Sequence, residues 1–245
     1  MFPSLKNHPF AVDAFFESSI VLTFAVPKEE LQSLIPESLE LDTFGDYAFI
    51  AVAMVQTKSL RPQGFSKFMG NDFFLIGYRV FVKYHTSEGK RLRGLYILKS
   101  ETNKKKMEFF GNIFTHYCYT TTDISTSEVN NETIIKSQKS GFQIEINEEA
   151  ENVELPKNSI FKDWKEARRF AGPLPFTFTY NPEKKEMLII EGVRQNWDPK
   201  PLKIEDYQFE LLEKFNFSSI VLANSFIIND IPYSWKKGRI DSWKP

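Results

Sequence analysis

Arg79 stands inside an otherwise apolar run, FFLIGYRVFVKYH (Phe73 to His85), and a guanidinium in such a setting needs an anionic partner. With side chains alternating every second residue, Arg79 shares a strand face with Phe73, Leu75 and Phe81, while Phe74, Ile76, Tyr78 and Val80 take the other. Its planar fork suits a carboxylate held inside a cavity; the plainer alternative is a side chain that reaches solvent or pairs with a structural acid. Arg93 and Arg194 pose the same choice, and Arg194 has Glu191 and Trp197 close in sequence. The stretch Thr115 to Thr122 is polar on both faces, with His116, Cys118 and Thr120 on one and Thr115, Tyr117 and Tyr119 on the other. That pattern fits either the wall of a polar pocket, with His116 as acid or base, or an exposed sheet edge. The ligand-binding candidates are therefore Arg79, Arg93, Tyr96, His116, Tyr117, Tyr119, Arg194 and Trp197, and His116 is the one candidate for catalysis.

Other chemistries find less support. Lys104-Lys105-Lys106 invites imine formation, because crowded ammonium groups favour the free amine that attacks a carbonyl. These lysines fall in the first turn of an expected helix, however, where solvation is the ordinary state; Lys99 is a less crowded alternative. His8, His85 and His116 lie far apart without partners at metal-ligand spacing, so no metal is expected. No Gly-x-Ser-x-Gly elbow, phosphate-cradling loop or dinucleotide fingerprint occurs, and no cofactor is called for. Cys118 is the only cysteine, and the N-terminus lacks a signal-peptide pattern, which fits the cytoplasm. The 31 basic and 32 acidic residues balance to a net charge of -1, so nucleic acid is not an expected partner. The longest apolar run, Tyr47 to Val55, is about half a membrane helix and reads as a buried strand.

The elements that must position these residues are mostly strands. Ser18 to Val26 is rich in β-branched and aromatic residues, Pro27 opens a short helix, and Pro36 closes it. Leu39 to Thr43 and Tyr47 to Thr57 read as paired strands joined across Phe44-Gly45-Asp46, followed by a glycine- and proline-containing loop from Leu60 to Gly70. Phe73 to His85 and Arg91 to Lys99 form a hairpin around Thr86 to Lys90. Asn103 is expected to cap a helix through Phe114, ahead of a strand from Thr115 to Ile124. Val129 to Gln138 and Phe142 to Asn147 alternate as strands, and Glu148 to Glu154 is a solvated turn. A helix from Ser159 to Phe170, stopped by Gly172-Pro173, precedes strands over Phe176 to Tyr180, Glu186 to Gln195, Tyr207 to Leu211 and Ser219 to Ile228. The expectation is one α+β, β-rich domain over residues 1–245, its mostly antiparallel sheet closing into a cone or barrel around a central cavity, with about three short helices. The 24 Phe, 9 Tyr and 4 Trp demand either a large aromatic core or an aromatic-lined cavity.

The order of segments VPKEELQSLIPESLELDTFGDYAFIAVAMV, FFLIGYRVFV, GLYILKSETN, GNIFTHYCY, FAGPLPFTFTY, EGVRQNWDP and PYSW resembles the YqjF-like domain of unknown function, a branch of the acetoacetate decarboxylase-like superfamily. The resemblance implies a cone-like β fold around a central cavity. It also implies that Thr115-His116-Tyr117 stands where the decarboxylases carry a Pro-Lys-Lys motif, and Leu75 where they carry an acid, so that Schiff-base decarboxylation is lost. Two readings follow. One is a pocket for a small anionic or carbonyl compound; the other is a noncatalytic structural or protein-interaction domain, with a homo-oligomer open to both.

Overall fold

The computed structural model describes residues 5–129, 132–170 and 174–243. Strand β1 (Val12–Pro27) ends at a proline whose fixed φ of -56° starts the short helix α1 (Lys28–Gln32). The two-residue β2 (Glu40–Leu41) precedes three long strands, β3 (Tyr47–Pro62), β4 (Asn71–His85) and β5 (Arg91–Thr102). Helix α2 (Lys105–Phe114) leads into β6 (Tyr119–Thr121), and then come β7 (Ser125–Val129), β8 (Glu132–Ser137) and β9 (Phe142–Asn147). After α3 (Trp164–Phe170) follow β10 (Phe176–Asn181), β11 (Glu186–Arg194), β12 (Lys200–Pro201), β13 (Lys203–Phe209) and α4 (Glu210–Glu213). The long β14 (Val221–Trp235) and β15 (Arg239–Ser242) complete the described chain.

Strands β14, β1, β3, β4, β5, β10 and β11 pair in that order, and β11 returns to β14 through Gly192↔Trp235, Val193↔Ser234 and Arg194↔Tyr233. The sheet thereby closes into a ring of seven strands, antiparallel throughout except where β10 runs parallel to β5. A second sheet, ordered β13-β9-β8-β7, lies outside it. Alternation then gives each ring strand two buried faces. The outward set, including Leu22, Phe24, Ile76, Tyr78 and Val80, packs against Ile144, Ile146 and Phe209 of the second sheet. The inward set, including Val21, Phe73, Leu75 and Phe81, fills the ring together with Phe49, Phe161 and Ile190. Each fully buried ring of this kind contributes about 1.5–3 kcal/mol. Much of the aromatic excess goes into this core: Phe44, Phe49, Phe161 and Phe170 form one cluster of ring contacts, and Phe16, Tyr233 and Trp235 form another.

Several local expectations change. Leu39 to Thr43 shrinks to two residues and pairs with β4 (Glu40↔Lys83, Leu41↔Val82) rather than with the strand after the turn, where only Phe44 and Tyr47 bridge. Asn103 does not cap α2; its carboxamide oxygen accepts the Phe74 amide at 2.9 Å and ties the helix entry to β4. Thr115 to Ile124 contributes only the three residues of β6, Ser159 precedes α3 by five positions, and Tyr207 to Leu211 divides between β13 and the unexpected α4. Gly172-Pro173 lies outside the described residues.

The last strand is clasped to the β4–β5 turn by one carboxylate. Asp241 accepts hydrogen bonds from the Tyr84 hydroxyl (2.8 Å) and from the amide (3.0 Å) and hydroxyl of Ser87. Burial pushes the Asp241 carboxyl up, but the Ser87 hydroxyl and amide and the Tyr84 hydroxyl more than reverse this and hold it below its usual range. A depressed folded-state value means that stability is present above the unfolded value, about 3.9, and is lost as pH falls through the folded one. Asp241→Ala should therefore cost about 1–3 kcal/mol at neutral pH, because it strands the Tyr84 hydroxyl. Thermal unfolding followed from pH 7 to pH 2 should show the difference from wild type shrinking toward the acid end; a constant gap would assign the loss to packing instead.

Candidate functional site

Small side chains on the inner face of the ring leave a space that Arg79 enters. Across the sheet Arg79 lies opposite Ala51 of β3, and Gly77 lies opposite Ala53. The Arg79 side chain runs back over Gly77 so closely that a Cβ there would sit 2.8 Å from Nε. Only glycine accommodates the guanidinium in that position without displacing it. Arg194, the last residue of β11, reaches the same space through ring closure and lies over Trp197 (4.5 Å) and Tyr233 (5.6 Å). The resulting pocket has a volume of about 100 Å³. Its polar wall holds Tyr117, Tyr119, Thr177, Ser19, Ser100 and Tyr233.

The donors in this pocket outnumber their partners. Arg79 Nε, Arg194 Nη2 and Trp197 Nε1 are each buried without a hydrogen-bond partner among the described residues. The Tyr117 hydroxyl is buried beside Thr177 without a well-formed bond. No Asp, Glu, His, Lys or Cys lines the space among the described residues. Burial lowers the Arg79 value, the neighbouring Tyr233, Tyr119 and Tyr117 partly offset this, and the charge of Arg194 lowers it further. Arg194 is likewise lowered by burial and partly restored by Tyr233. Burial pushes Tyr117 well above the usual phenol range and Tyr119 up to about 12, the latter against the pull of Arg79. At neutral pH these tyrosines are neutral donors, and the pocket holds two guanidinium groups with no carboxylate among the described residues.

Of the sequence candidates, Arg79, Tyr117, Tyr119, Arg194 and Trp197 converge on the pocket, and three do not. Arg93 is bound to the buried Asp42 by its Nε (2.7 Å) and Nη2 (2.6 Å), and it lies over Phe170 of the first aromatic cluster. Tyr96 sits opposite Val80 and packs on the outward core. His116 is exposed beside Asn7, with burial first and Lys6 second holding it below its usual value. The alternation from Thr115 to Thr120 does hold, with Thr115, Tyr117 and Tyr119 buried and His116, Cys118 and Thr120 exposed. Lys99 lies opposite the outward Tyr78 and pairs with Glu101 at 2.6 Å, and Lys104, Lys105 and Lys106 are exposed. Ser19, Thr177 and Tyr233 went unrecognised in the sequence; each is an ordinary strand residue until ring closure fixes which face turns inward. No group of three or more His, Cys, Asp or Glu among the described residues is placed to hold a metal, and no helix there is long and apolar enough to cross a membrane.

Residues 14–229 match the DUF2071 family, described as an uncharacterized conserved protein. No curated protein matches the chain. Among solved structures, acetoacetate decarboxylase from Legionella pneumophila subsp. pneumophila str. Philadelphia 1 superposes with a TM-score of 0.63 at 11% identity, over 96% of this chain and 88% of that one. A second acetoacetate decarboxylase structure gives 0.58 at 10% identity over 94% and 88%. The enduracididine biosynthesis enzyme MppR complexed with pyruvate gives 0.56 at 10% identity over 95% and 90%. At such identities the likeness establishes the acetoacetate decarboxylase-like fold.

An interior cation without an internal partner works against folding. Arg79→Met keeps an unbranched apolar stem and removes the charge, so it should raise stability by about 1 kcal/mol or more, roughly 2–4 °C in Tm. Thermal unfolding at neutral pH in a weakly coordinating buffer measures this. A lower Tm would mean that the guanidinium is compensated within the fold.

Proposed function

Because the chain belongs to the DUF2071 family of uncharacterized conserved proteins, and that family has no assigned chemistry to borrow, we propose from its own pocket that it binds a small anionic compound, a carboxylate above all. The observation that carries this reading is the convergence of Arg79, Arg194 and Trp197, whose Nε, Nη2 and Nε1 atoms are buried and unpartnered, on a space that no acid lines among the described residues. A carboxylate between the two guanidinium groups would supply the missing charge and accept from the free donors, and charge-assisted bonds of this kind are the strong ones. MppR, a structural neighbour, was solved with pyruvate, itself a small carboxylate.

Binding is favoured over Schiff-base decarboxylation by the chemistry of the wall. An imine needs an amine, and no lysine lines the pocket among the described residues. Proton transfer near neutral pH needs a group that titrates there, and Tyr117 and Tyr119 are both moved away from that range. A second reading, an interaction domain that also assembles with itself, draws on the exposed Phe65, Phe68 and Met69 between β3 and β4.

Titration with acetate, pyruvate and phosphate, followed by ligand-observed NMR, tests the pocket. The expected result is saturable binding weakened tenfold or more in Arg79→Gln, the size of one lost charge-assisted hydrogen bond. Gly77→Ala, which displaces the guanidinium while keeping it, should weaken binding in the same direction; Arg93→Gln, whose charge serves Asp42, should not. Absence of binding, together with a self-association that Phe68→Ser abolishes in analytical ultracentrifugation, would overturn this reading in favour of the interaction domain.

A further inference from the structure

The polar pocket by itself holds only a very small anion. About 100 Å³ takes a carboxylate and little more, whereas ligand sites ordinarily enclose some 300–1,000 Å³. A second, mostly apolar cleft of about 370 Å³ lies against it, between α2 and the ends of β3 and β4. Its walls include Leu60, Phe73, Met107, Phe110 and Phe114. The two spaces share four lining residues, Leu75, Tyr117, Tyr119 and Trp235. Gly111 of α2 makes this common wall thin, since any side chain there would collide with the ring of Tyr119. Phe110 of its wall is partly exposed, and Phe109 beside it on α2 is exposed as well.

Building on the anion-binding reading above, we propose that the ligand is an amphipathic carboxylate. Its head lies between Arg79 and Arg194, and its hydrocarbon or aryl tail passes the Tyr117–Tyr119 wall into the cleft under α2. The division of the walls favours this occupant. A purely polar metabolite would leave Leu60, Met107, Phe110 and Phe114 facing it without gain, and a purely apolar one would leave the interior cations unpaired. The two tyrosines suit the boundary, each presenting an apolar ring to both spaces and keeping its hydroxyl as a neutral donor.

The test is a chain-length series, sodium butanoate, hexanoate, octanoate and decanoate, at constant ionic strength and below aggregation, read by ligand-observed NMR on the full chain. Affinity should rise about fourfold per added methylene until the cleft is full. Met107→Trp and Leu60→Trp each fill the cleft and should flatten that slope, with circular dichroism confirming that the variants fold; two positions guard against one failing. Arg79→Gln should weaken every member by a similar factor. Equal affinity along the series with dependence on Arg79 would overturn the tail while leaving the anion pocket standing. Chain-length dependence without dependence on Arg79 would overturn the joined site. Failure of all four to bind would overturn both.

Discussion

The three residue pairs that join the end of β11 to the end of β14 decide what kind of interior this protein has. Without them the sheet would be open, and its inner face would be an ordinary wetted surface on which an arginine needs no explanation. With them, Arg194 is carried on the closing strand itself and set against Tyr233, its cross-strand partner, while Arg79 on β4 faces the same enclosed volume. Closure thus converts two strand residues into two interior charges. The small residues follow from the same constraint, since Ala51, Ala53 and Gly77 are where the inner face would otherwise be filled to native packing density.

The facing of the buried strand residues was legible in the sequence. Alternation in FFLIGYRVFV was enough to separate Arg79, Leu75 and Phe81 from Ile76, Tyr78 and Val80, because both faces are buried and strand side chains repeat every two residues whatever surrounds them. The stretch from Thr115 to Thr120 has the same regularity, but its two faces are about equally polar, and nothing local says which turns inward. Partners distant in sequence were not legible. Glu191, the acid near Arg194, is taken by Lys236 at 2.8 Å, which leaves the arginine to aromatic rings. Arg93 is claimed by Asp42, fifty-one positions away, and Asn103 by the Phe74 amide, twenty-nine away. For Arg93 and Asn103 the fold supplies a partner that sequence proximity does not name, whereas for Arg194 it takes the nearby acid away.

The interior charges also set a relation between stability and binding. An arginine paired with a resident acid would be satisfied and inert, as Arg93 is beside Asp42. Arg79 Nε and Arg194 Nη2 have no partner among the described residues, so the folded protein carries a desolvation penalty that, on the proposed reading, an anion would relieve on entry. On that reading binding and stability would be one linked quantity, and the best-fitting ligand would be the one whose charge completes the interior.

That linkage bears on why arginine, and why tyrosine around it. Lysine in the same place would titrate more readily on burial and, as a free amine, would react with a carbonyl; guanidinium keeps its charge through a much greater desolvation and does not. The phenols beside it are driven away from ionisation, so they donate without competing as anions for the two cations. On the anion-binding proposal, a wall of guanidinium groups and un-ionised hydroxyls would hold a negative group by donating to it. The path of the backbone is shared with the acetoacetate decarboxylase structures, so what this pocket can hold is decided by the side chains on its inner face.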